Sequence, residues 1–296
     1  MQDATSPGDR SSKRSRRFRR LERAMIPMDL RSSGLAAGVH RSTFKGHGIE
    51  FSDLREYVPG DDLRAIDWKV TARLDQPFTR LLTEERDLTL CLVVDISGST
   101  GFGSLASKVD TAREIAGSLA VSALRHHDAV GLMLFSDGVE KYVPPGKGRR
   151  HVLEVLNTLF EHTPVSGRSD IAPALRHLAH SLARQSSVIL ISDFLLPPCR
   201  RELAVMKKRH QVFAIRISDP REEEIPDVGY LTLEDTETGE QLVIDTSDTL
   251  AMARYRESFR EREESLVRAL GTFGIPLARV RTGDGWEPGL RRFFRG

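Results

Sequence analysis

Residues 90–100 read LCLVVDISGST. An apolar run with paired valines, bounded by Gly and Ser, is the pattern of a strand buried on both faces, as in a parallel sheet under helices. Asp95 then falls at the carboxyl end of that strand. In open α/β sheets this edge is where ligands bind, so Asp95, Ser97 and Ser99 become candidate site residues from this stretch alone.

The pattern repeats outward. After the strand LTLCLVVDIS (88–97), DTAREIAGSLAVSALRHH (110–127) carries apolar residues at helical spacing, and DAVGLMLFSD (128–137) is a second buried strand. KYVPPG (141–146) reads as an edge piece and turn. Two helices follow, 149–162 and 171–185, then the strand SVILISD (187–193), a helix over 201–210 and the strand QVFAIRISDP (211–220). YLTLEDTETGEQLVID (230–245) has the form of a hairpin turning at Thr238 and Gly239. Residues 247–274 form a long helix capped by Ser247 or Asp248 and ended by Gly271 or Gly274, and IPLARVRT (275–282) is the final strand. Strands alternating with helices of this length imply an α/β fold with a doubly wound, mainly parallel sheet.

A chain of 296 residues, 39% of them hydrophobic, can bury one large core with an appendage. Its formal charge of +2 excludes a polycation built as a whole for nucleic acid. The imbalance is local: Arg10 to Arg31 is rich in Arg and nearly free of acids, and reads as a flexible arm, with RNA, membrane-surface or partner docking as other uses. Residues 1–40 are this arm. Residues 41–86 form a charged segment with short strands and a helical turn around Leu63 to Arg73; residues 87–220 are the α/β core, and 221–296 complete the domain. Two cysteines, Cys91 and Cys199, allow neither a disulfide framework nor metal-finger spacing. No apolar run approaches the ~18–20 residues that span a bilayer, and no signal-peptide core follows the basic start, so a cytoplasmic location is expected.

Two further loops stand beside DISGS. SVILISD ends at Asp193, and SGRSDIAPAL places Ser169 just before a helix. Asp95, Ser97, Ser99, Ser169 and Asp193 make an all-oxygen set without His or thiolate, suited to a hard divalent ion, Mg2+ or Mn2+. Gly98 lets a tight turn aim Ser97 and Ser99 back toward Asp95. Few charged ligands would leave such an ion short of negative charge and open to a carboxylate from another protein.

These three loops resemble the metal-ion-dependent adhesion site of von Willebrand factor type A domains, whose pattern is Asp-x-Ser-x-Ser, then Thr, then Asp. On that resemblance Asp95, Ser97 and Ser99 match the first loop, Ser169 stands at the threonine position and Asp193 matches the last carboxylate. Serine keeps the ligand oxygen but lacks the methyl that stiffens χ1. The upstream run GIEFSDLREYVPGDDLRAIDWKVTARLDQPFTR (48–80) is similar to the bacterial family known as domain of unknown function 58, and the likeness extends from about Arg41 to the end of the chain. That resemblance implies a non-enzymatic adaptor or co-chaperone-like protein working with a MoxR-type AAA+ ATPase. Many members of the family begin with membrane helices, where this chain has its basic arm.

Other readings compete. A strand ending in Asp before a hydroxyl-rich loop suits an aspartyl-phosphate phosphotransferase with Asp95 as nucleophile, but such enzymes resemble Asp-x-Asp there and this chain has Ser97. No lysine stands obviously beside Ser169; Arg168 is the nearest cation. Nucleic-acid binding through the arm needs only phosphate contacts. No GxxxxGK[ST] motif is present, which excludes that route to ATP hydrolysis. Asp61, Asp62, Asp67, Arg55, Arg64 and Arg73 around Trp68 read as an ion-pair network locking one substructure onto another, or as a surface read by a partner. His126 and His127 end a helix and suit its negative terminus.

Overall fold

In the computed structural model the described residues are 49–58, 63, 66–74, 76–84, 88–97, 107–195, 199–234 and 241–295. Ser99, Asp61, Asp62, Arg64, the hairpin turn at Thr238 and Gly239, and the whole arm therefore lie outside them. The chain divides into two compact units, one within residues 39–87 and one that runs from Leu88 to the C-terminus.

In the smaller unit, β1 (Ile49–Glu56) pairs antiparallel with β2 (Phe78–Glu84), with a bulge between Phe51 and Asp53. Between them lies α1 (Trp68–Leu74). Asp67 starts this helix, its Oδ1 accepting hydrogen bonds from the amides of Lys69 (3.0 Å) and Val70 (3.3 Å), which otherwise lack intrahelical partners.

The larger unit is built on a six-stranded sheet in the order β10-β7-β6-β3-β4-β5. Its strands are β3 (Thr89–Asp95), β4 (Ala129–Phe135), β5 (Val139–Gly146), β6 (Ser187–Ser192), β7 (Gln211–Ser218) and β10 (Leu277–Arg281). All adjacent pairs are parallel except β4 with β5, the antiparallel edge. This is the doubly wound α/β architecture expected. Because side chains alternate along a strand, Leu92 and Val94 of β3 enter one core and Cys91 and Val93 the other. The first core is closed by α2 (Lys108–Arg125) and α3 (Arg149–Glu161), through Ile115, Leu119, Val155 and Leu159. The second is closed by α4 (Ile171–Ser181), α5 (Arg200–Arg209) and the later helix α7 (Thr249–Thr272), through Leu175, Met206 and Leu270.

Past β7 come the short α6 (Pro220–Glu223), the separate two-stranded ribbon of β8 (Tyr230–Glu234) and β9 (Gln241–Asp245), and α7 (Thr249–Thr272). Of the two capping candidates for α7, Asp248 takes the role, accepting from the amides of Leu250 and Ala251. Gly274, with φ +57°, carries the chain out at the other end, a conformation costly for a residue with a Cβ. β10 is not the last element. A nine-residue helix, α8 (Glu287–Arg295), follows and buries Leu290 and Phe294 in the first core, with Phe294 6.3 Å from Phe213 between ring centres. Its opening Glu-Pro-Gly reads locally as a turn, and only packing makes it helical.

What matters for the site is where the winding reverses. From β3 the chain crosses to β4 on one side and later returns through β6 on the other, so the carboxyl ends of β3 and β6 flank the switch point of the sheet.

Candidate functional site

Asp95 is the last residue of β3 and is 1% exposed. Its Oδ1 accepts from the amide of Ser97 at 3.0 Å, an Asx-type turn that bends the chain off the strand. Its Oδ2 accepts from two hydroxyls, Ser169 Oγ at 2.9 Å and Ser192 Oγ at 2.8 Å. The structure thus brings Asp95, Ser97 and Ser169 together from two loops.

Each loop has its own anchor. Ser169 precedes α4, whose N-cap Asp170 accepts from the amide of Ala172, while the Asp170 amide donates to the Ser136 carbonyl at the end of β4 (2.7 Å). On the other side Ser192 ends β6, and its Oγ also accepts from the amide of Phe194. Phe194 has φ +49°, a left-handed conformation unusual for an aromatic residue and a sign of backbone held in place by its surroundings.

Asp193 lies next to this cluster but is turned to a different partner. Its Oδ2 accepts from Lys108 Nζ at 2.8 Å and its Oδ1 from the Leu195 amide at 3.3 Å. Lys108, the first residue of α2, is 1% exposed and also donates to Glu222 Oε1 at 2.5 Å. The sequence shows no lysine beside Ser169; the fold places one on Asp193 instead. Sequence reasoning missed Ser192 as well, although that residue immediately precedes Asp193 at the end of a strongly apolar strand. No local signal marks Lys108, whose partners lie 85 and 114 residues away.

Electrostatics follow from burial. Loss of solvent, reinforced by the nearby negative charge of Asp193, raises the Asp95 carboxyl above its ordinary 3.8, against the hydrogen bonds from Ser97 and Ser192 that favour the anion. Burial works to lower the Lys108 ammonium, but the fields and hydrogen bonds of Asp193 and Glu222 outweigh it and the net shift is upward. Lys108 therefore stays charged.

The donor set is compatible with a hard cation. Among the described residues no three His, Cys, Asp or Glu side chains converge as a metal cage; the group here is one carboxylate with serine oxygens. Adjacent ligand oxygens around an octahedral magnesium at about 2.1 Å lie roughly 3 Å apart. The 2.8 and 2.9 Å separations within Asp95, Ser169 and Ser192 already match that spacing. A cation could take the place of these hydrogen bonds, the hydroxyls turning their protons away and offering lone pairs. Asp95, Ser97, Ser169 and Ser192 are the residues that would hold it, with Asp193 behind them.

Comparison with known proteins decides the family. The model of the family described as Protein of unknown function DUF58 matches residues 53–265. The chain belongs to this family. A protein of similar sequence is the uncharacterized protein Rv1480 of Mycobacterium tuberculosis, 34% identical over 266 residues, covering 88% of this chain and 83% of that protein. Among solved structures, an aerotolerance-related membrane protein of Bacteroides fragilis shares 14% identity at a TM-score of 0.49, over 70% of this chain and 96% of that one. The SpRpn10 VWA domain shares 10% identity at a TM-score of 0.40, over 69% and 94%. Among the described residues of this DUF58 chain, no helix is long and apolar enough to cross a membrane.

Proposed function

We propose that this protein is a non-enzymatic interaction module whose sheet-edge site binds a divalent cation, Mg2+ or Mn2+, and engages a partner that supplies an Asp or Glu carboxylate. The observation that carries the reading is the convergence of Ser169 and Ser192 hydroxyls on one buried oxygen of Asp95 at the switch point of the sheet. The bound ion would supply a coordination point of unsatisfied positive charge. The chain's own residues do the rest: Asp95 provides the anionic anchor, the serines add neutral oxygens that leave charge uncompensated, and the anchored loops hold these oxygens in place before the partner arrives. Preorganisation of this kind lowers the ordering cost of association.

The partner class is a MoxR-type AAA+ ATPase, an inference from family resemblance, with a client protein as a second source of the carboxylate. The location proposed is cytoplasmic. To test the reading, a tagged chain is used to co-purify the ATPase in four lanes, wild type and Asp95→Ala, each with magnesium or EDTA. Recovery only with wild type and magnesium is expected; equal recovery in all four lanes would sink the proposal.

A further inference from the structure

Lys108 is an unusual placement. An ammonium at the first turn of a helix opposes the positive end of the helix dipole, and burying a charge to 1% exposure is costly unless it is paired. Here it is paired twice, with Asp193 from the loop after β6 and with Glu222 from α6. Glu222 is in turn fixed: its Oε2 accepts from the Asp219 amide in a capping box, and its carbonyl accepts from the Tyr255 hydroxyl of α7. The Asp219 carboxylate accepts from the Thr282 hydroxyl after β10. The other buried cation nearby, Arg216, is in the field of Asp193 and Glu222 but is ion-paired with Glu263. Asp193, the second acid of the rim, is therefore occupied from inside the fold, by a lysine held from behind.

We infer that Lys108 is a built-in counter-cation that holds Asp193 away from a rim-bound divalent ion, keeps the intrinsic affinity low and so makes tight binding depend on the partner's carboxylate. The inference rests on the cation-binding reading above and adds the device that sets its strength. Lys108 is a positioning residue: it acts through Asp193 and through its charge. With Lys108 in place the carboxylate that the cluster itself offers the ion is Asp95. Without Lys108, Asp193 would add a second.

The test is titration of the full chain with Mn2+ alone, following free Mn2+ by electron paramagnetic resonance, with circular dichroism to establish folding. Lys108→Met is expected to bind about tenfold more tightly, a modest size for removing one unit charge beside a buried site. Glu222→Gln keeps an acceptor for the Asp219 amide but leaves Lys108 wholly on Asp193, and is expected to bind several-fold more weakly. A purely structural role would shift both variants the same way. Folded Lys108→Met that binds no more tightly than wild type overturns the inference. Should Lys108→Met fail to fold, folded Glu222→Gln that binds equally or more tightly overturns it. Asp95→Asn separates the two ideas: if it binds Mn2+ as well as wild type, the cation-binding reading falls and the counter-cation with it; if it loses binding while folded Lys108→Met binds no more tightly than wild type, the counter-cation alone falls.

Discussion

The Ser192 hydroxyl donates to Asp95 Oδ2 at 2.8 Å across two neighbouring parallel strands, joining residues 97 positions apart in the chain. It lies one step beyond the last paired position of β3 and β6, Val94 with Ile191. Strand register thus aims the hydroxyl at the carboxylate, and the site's rigidity derives from the sheet.

Replacing Asp95 by Asn removes a charge that burial and Asp193 both disfavour, while the hydroxyls of Ser169 and Ser192 can rotate to accept from the new amide. In EDTA at neutral pH the variant is expected to be more stable than wild type. For a domain of this size that is a rise in Tm of about 2–4 °C per kcal/mol gained. Magnesium should raise the Tm of wild type and leave that of Asp95→Asn unmoved, by differential scanning calorimetry.

The pH dependence has a definite sign. Between its ordinary 3.8 and its raised native value, Asp95 holds a proton in the folded chain that the unfolded chain has released. The native state then binds more protons, so this group's contribution to stability falls as pH rises through that window. Denaturation of metal-free wild type and Asp95→Asn across pH 4–8 should give a difference that grows in favour of the variant with rising pH; a difference that is flat or of opposite slope contradicts the burial argument.

Cys91 sits in the middle of β3 at 0% exposure, and burial pushes its thiol up to about 12. Cys199 is half-buried, and loss of solvent takes it to about 11. The thiolate is the reactive form, so at pH 8 iodoacetamide should label the native chain slowly and at Cys199 first. Both should label rapidly in denaturant, as peptide mass spectrometry would show.

Phe294→Ala tests the element that local reading missed. Phe294 is fully buried against the first core, beside Phe213 and Phe293. Truncation should cost about 3–5 kcal/mol, the usual range for a buried Phe, measured by urea unfolding. A cost below about 1 kcal/mol would mean that α8 contributes little to the core.

The sequence by itself determined the sheet and the first half of the site. Strand runs such as LCLVVD and SVILIS are buried on both faces, and that demand is written in consecutive residues, as is the placing of Asp95 and Asp193 where the apolar runs stop. Capping of α7 was legible to within one residue for the same local reason. α8 was not, because Pro288 and Gly289 signal a turn and the helix forms to bury Leu290 and Phe294. Only the tertiary structure decided that Ser192 joins Asp95 and that Lys108 takes Asp193 and Glu222. Those choices depend on strand order and on where a helix begins over the sheet, and charges 85 and 114 residues apart leave no periodic trace in the chain that brings them together.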